Sequence, residues 1–145
     1  MFEFSVCRNE TGKVTGFDLG DMGFSFGEKE VSSKGNPRLL MMVYLSVVSL
    51  VDTLLSLKVG RKYEFVGVDS SFSLVFELQR KGGGVWVENE LLGVCDFCIL
   101  IKAIDKGVEV FLSNGNQLPP TDPVYNDFHS ALKNQRLAVA ACERG

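Results

Sequence analysis

Cys95 and Cys98 stand two residues apart in a CxxC, a spacing that thiol chemistry uses. A redox pair of this kind belongs at a helix N-terminus after a strand, where the helix dipole favours the thiolate. Here Phe97 lies between the cysteines, no βαβ pattern surrounds them, and no second CxxC completes a zinc set. The expectation is therefore of partly buried structural thiols that behave as small hydrophobes. His129 is the only histidine, so any Ser-His-Asp or Cys-His system must use it. It falls on the polar flank of the last expected helix, between Phe128 and Ser130, which points to a surface imidazole and not a catalytic base. Gly82–Gly84 lacks the Lys-Ser/Thr of a phosphate loop and joins two strands, as a hairpin turn would. No catalytic, cofactor-binding or metal-ligating residue emerges, and no cofactor is expected.

Carboxylates are the remaining chemistry. Glu88 and Glu90, with Asp96 and Asp105 beyond, form the most acidic stretch, followed by Glu28 and Glu30. Asp69 opens an Asp-Ser-Ser corner whose side chains suit local turn hydrogen bonds, and which also offers a recognition point. These seven residues are the expected contacts if the chain meets a basic partner. A solvated face is the ordinary explanation for the acidic stretch, and local turn bonding is the favoured one for Asp69.

The elements that must carry these residues follow from periodicity. Phe2, Phe4 and Val6 alternate with polar residues, and Val14–Leu19 and Met22–Phe26 read as further short strands. Glu28–Gly35 reads as a polar loop. Asn36 caps and Pro37 opens a long apolar helix expected to run to about Lys58, with Gly60 as its stop. Leu39–Val59 is long enough to cross a bilayer, but Ser46, Ser49, Asp52, Thr53 and Ser56 form a polar stripe that suits a helix buried in a soluble core.

Between Tyr63 and Val87 the chain spells a three-stranded meander, with Phe72, Leu74, Phe76 and Leu78 on one face. Apolar residues at three- and four-residue steps then predict a helix over about Val94–Leu112. A rival reading makes Cys95–Lys102 and Val108–Leu112 strands, because their β-branched content is high. Ser113–Pro120 is a turn-rich loop, and Asp122-Pro123 starts a last amphipathic helix that frays after about Val139. The expected fold class is α+β: an antiparallel sheet of five or six strands, a long apolar helix and two further amphipathic helices. Residues 1–145 form one domain.

The net charge of −3 is even, since residues 1–59, 60–92 and 93–145 each carry −1. With no basic stripe, neither nucleic acid nor membrane is an expected partner. The N-terminus has no signal-peptide pattern and the four cysteines form no dense framework, so reduced thiols in the cytoplasm are expected.

The order of parts (N-terminal β segment, NPRLLMMVYLSVVSLVDTLL helix, YEFVGVDSSFSLVFELQRKGGGVWV meander, amphipathic helices ending in TDPVYNDFHSAL) resembles the small cytoplasmic immunity proteins of bacterial polymorphic-toxin and contact-dependent growth-inhibition systems. The resemblance implies a non-enzymatic protein that binds a cognate toxin domain, such as a nuclease, and occludes its active site. It carries no functional residue across, because contacts differ from pair to pair. The alternatives are a secretion-type chaperone that holds an effector segment on an apolar surface, and a small enzyme built on Cys95 or Asp69.

Overall fold

The computed structural model describes residues 2–79, 84–88 and 93–144, with side-chain detail for 2–79 and 96–144. The fold is α+β, with three helices and two four-stranded antiparallel sheets in place of the expected single sheet of five or six strands. In the first sheet, β1 (Phe2–Arg8), β2 (Leu19–Phe26) and β3 (Lys29–Ser32) pair in order, and β4 (Met41–Met42) also pairs with β2. The second is a meander of β5 (Lys62–Val66), β6 (Ser73–Leu78), β7 (Gly84–Glu88) and β8 (Gly93–Asp96). It contains the three strands expected over Tyr63–Val87 and adds a fourth.

Two N-terminal expectations are corrected. Val14–Asp18 forms turns, not a strand, and β2 begins only at Leu19. The segment expected as a polar loop holds β3, because Gly27, at φ +61°, turns the chain in two residues so that Lys29 pairs with Phe26.

The long apolar helix is also corrected. Asn36 does cap a turn, accepting from the Arg38 amide at 3.0 Å, but Pro37–Leu39 is a single 3-10 turn. Leu40 is extended and Met41–Met42 pair with Leu19–Gly20, so α1 covers only Val43–Leu55. Strand pairing here outweighs helical propensity, which is a weak local preference. The same crossing segment joins the two sheets without fusing them: the Met42 amide donates to the Val68 carbonyl and the Ser71 amide to the Arg38 carbonyl. No helix among the described residues is long and apolar enough to cross a membrane.

Helix α2 spans Phe97–Ser113 and buries Leu100, Ile101, Ile104, Val108, Phe111 and Leu112, as its periodicity predicts. The strand reading holds only for the residues before it: β8 takes Cys95 and ends at Asp96, which caps α2. Helix α3 runs over Tyr125–Arg144. Its end does not fray after Val139, and Cys142 is bonded to Cys98, which corrects the expectation of reduced thiols for this pair.

One core joins all layers. Phe24 stacks on Phe72 across the two sheets, with ring centroids 6.3 Å apart. Tyr44 of α1 packs its ring against Phe111 of α2 and Phe128 of α3. Helix α2 lies on β1, and Gly107 makes this possible, since a Cβ there would run into the Phe4 carbonyl oxygen and ring. Gly107→Ala is therefore expected to destabilise the fold by about 1–3 kcal/mol in chemical denaturation, although alanine is favoured by ~1 kcal/mol in an open helix. A stabilised variant would contradict this packing.

Candidate functional surface

The outer face of the first sheet is the most regular polar surface among the described residues. Inward, Phe2, Phe4, Val6, Met22 and Phe24 enter the core. The pleat therefore turns Glu3, Ser5, Cys7, Asp21, Gly23, Ser25, Glu30 and Ser32 to the other side. Register then sets them in rows. Glu3 lies opposite Ser25 and Ser25 opposite Glu30; in the next row Ser5, Gly23 and Ser32 align. Both glutamates are exposed, and with Ser5, Gly23 and Ser25 they border a shallow groove of about 210 Å³. No lysine or arginine stands in these rows, whose two carboxylates rise over a flat, small-residue floor, while Lys106 of α2 borders a neighbouring groove with Glu3.

At its lower end this face is tied to a buried polar network. Asp21 accepts from Asn9 Nδ2 at 2.8 Å and from the Ser33 hydroxyl at 2.7 Å, and Ser33 Oγ accepts from the Met22 amide. Alongside, the Arg8 guanidinium sits 3.4 Å from Asp18, with both side chains 8% exposed. Arg8 also donates to the Glu10 and Gly12 carbonyls. Asp18 accepts from the amide and hydroxyl of Thr15, and the Gly16 amide donates to Asp122 at 2.9 Å. A Cβ on Gly16 would run into Asp122 and Val124, so the loop can close on α3 only with glycine at this point. These residues lock the N-terminal sheet to the start of α3, and Arg8 Nε, buried without a hydrogen bond, is held only by its ion pair with Asp18.

Tyr44 lies against this network and donates to the Asn116 carbonyl at 2.6 Å. Burial pushes its hydroxyl up to about 12; Arg8 opposes this shift and Asp18 and Asp122 add to it. The unfolded chain releases this proton near 10.0, whereas the folded chain holds it to about 12. Stability is thus present below pH 10 and falls as pH rises through that window, by roughly 3 kcal/mol in all. Tyrosinate absorbance should show Tyr44 ionising late, and Tyr44→Phe should remove both that signal and the extra alkaline loss.

The seven carboxylates expected from sequence lie on separate elements. Glu30 belongs to the acidic face, and Glu28 is exposed in the adjoining hairpin turn. Asp69 is exposed in the β5–β6 turn at φ +58°, where Ser70 bonds the Phe72 amide and the Leu39 carbonyl. Asp96 accepts from the Cys98 and Ile99 amides as the cap of α2. Asp105 accepts from Gln135 of α3 at 3.3 Å. Glu88 ends β7, and its side chain lies outside the described residues, as does all of Glu90. Of the acidic stretch expected around β7 and α2, Asp96 serves helix capping and Asp105 helix packing. Glu3, not expected from sequence, joins Glu30 instead. Alternation places Glu3 on the polar side of β1, but its partner appears only once β1 lies beside β2.

The expectation of an exposed His129 is corrected: it is half-buried, its ring 4.1 Å from that of Tyr125 and edge-on to Phe128. The described residues contain no group of three His, Cys, Asp or Glu placed to hold a metal ion. A separate apolar groove of about 530 Å³ lies between the end of α1 and the start of α2, lined by Leu54, Leu55, Leu57, Leu78, Phe97 and Cys98 with Asp96 at its edge. Comparison with protein-family models, curated proteins and solved structures yields no match to this chain.

Proposed function

We propose that this chain is a binding protein and not an enzyme: an immunity-type inhibitor that presents the outer face of β1–β3 to a basic cleft on a toxin domain. The observation that carries the reading is the in-register row Glu3–Ser25–Glu30, which holds two exposed carboxylates and no lysine or arginine of its own and is backed by a buried aromatic layer. Such a face suits a Lys- or Arg-lined active site, where complementary charge raises association rate and specificity. A flat, pre-formed sheet also loses little conformational freedom on binding.

The test is binding to the C-terminal domain of a large secreted protein encoded beside this chain. Glu3→Lys with Glu30→Lys should weaken that complex about tenfold or more, mainly through slower and less salt-sensitive association. Thermal stability should be nearly unchanged, since both side chains are exposed. Full binding and neutralisation by the charge-reversed protein would sink the reading.

The groove between α1 and α2, with Leu55 exposed in its lining, favours a second reading as a chaperone for an apolar effector segment. In that case Leu55→Asp, and not the glutamate substitutions, abolishes binding. The immunity reading places the protein in the cytoplasm, where a lasting disulfide is the exception.

A further inference from the structure

We propose that the Cys98–Cys142 bond is a reversible redox latch that decides whether the end of α3 stays docked on the body. Cys98 lies in the first turn of α2 and Cys142 in the last turn of α3, with Cα atoms 5.7 Å apart. Both residues are partly exposed, so a dithiol can reach the bond.

The burial pattern of α3 makes its end depend on that bond. Phe128, Ala131, Leu132 and Gln135 are buried, and Gln135 is the last such residue. Leu137 is 60% exposed, and Ala138 and Val139 are only half-buried. Within residues 136–144 only Ala138 and Val139 pack against the core, and both do so partly, so this short helical segment has little stability of its own. The covalent tie to α2 supplies the missing restraint.

The chemistry needs a dithiol reductant. One of its thiolates attacks a sulfur of the Cys98–Cys142 bond, and the other protein sulfur leaves as a thiolate. The second reductant thiol then attacks the mixed disulfide and releases the first protein sulfur. Two electrons and two protons pass to the protein, giving two cysteine thiols, and the reductant becomes a disulfide. Because Cys98 lines the apolar groove beside α1, the same step frees one wall of that groove from α3.

Hydrogen exchange on the full chain tests the latch, with the bond first mapped by non-reducing peptide analysis. After dithiothreitol, exchange over 136–144 should approach the rate of an unstructured peptide, while the buried turns of α1 and α2 stay protected and quicken only by the factor that the lower global stability sets. Cys142→Ser should show the same pattern without reductant. Three results would overturn the proposal: no 98–142 bond after air oxidation, unchanged exchange over 136–144 once the bond is shown to be cut, or loss of protection throughout the chain on reduction and in Cys142→Ser.

Discussion

Asp18→Ala is expected to destabilise the protein by about 3–5 kcal/mol, the range for removing one partner of a buried ion pair. Arg8 and Asp18 have 8% exposed side chains, so the guanidinium cannot simply return to water. In the variant Arg8 keeps the Glu10 and Gly12 carbonyls but loses its counter-charge, and the Thr15 amide loses its acceptor. For a chain of this length the melting temperature should drop by about 10 °C or more. Arg8→Ala should cost less, because Asp18 retains both hydrogen bonds from Thr15. Arg8→Met with Asp18→Val should recover part of the loss by removing both charges together, but not the Thr15 bonds. Equilibrium urea unfolding of the three variants measures this order. An Asp18→Ala protein within about 1 kcal/mol of wild type would show that the pair acts as an ordinary surface contact.

Cys142→Ser carries the second large effect. The bond links positions 44 residues apart, and closing a loop of that size in the unfolded chain is worth about 4 kcal/mol in the chain-entropy account. Measured disulfides commonly deliver 2–4 kcal/mol, so a loss of about 3 kcal/mol and about 10 °C is expected. A dithiol should lower the melting temperature of wild type by the same amount and leave the variant unchanged. Identical melting of oxidised and reduced wild type would refute the stabilisation. The two effects should add, because the Arg8 network sits at the start of α3 and the disulfide at its end.

Much of this fold is legible as hydrophobic period. Phe2, Phe4 and Val6 alternate because β1 has one wet face, and the step pattern of α2 matches its buried stripe. What the period misses is pairing. Residues 36–58 read as one helix because Met41 and Met42 are as apolar as the helix that follows, and nothing local records that they pair with Leu19–Gly20. The β8–α2 boundary was split between two readings because its β-branched run suits both; the Asp96 cap decides it. The buried network escaped notice for the same reason as the strand pairing. Arg8, Asp18 and Asp122 look like surface charges until the fold brings their segments together. Four cysteines likewise do not disclose a partner: the CxxC spacing points Cys98 to Cys95, whereas the fold pairs it with Cys142. Of the acidic face, Glu30 was legible as charge, whereas its alignment with Glu3 through Ser25 is a product of register.

The hydrogen bond from Gly16 to Asp122 spans 106 residues of chain. In kinetic terms such a contact is costly to form early, because the intervening chain must surrender its freedom before the bond returns anything. The β5–β8 meander is the opposite case, with each strand paired to its neighbour in sequence. Contact order therefore predicts assembly from the middle outward, with the meander forming fast and the junction of N-terminal loop and α3 closing last. Changes at Gly16 or Asp122 then act on how quickly the finished protein opens and leave the speed of folding almost untouched.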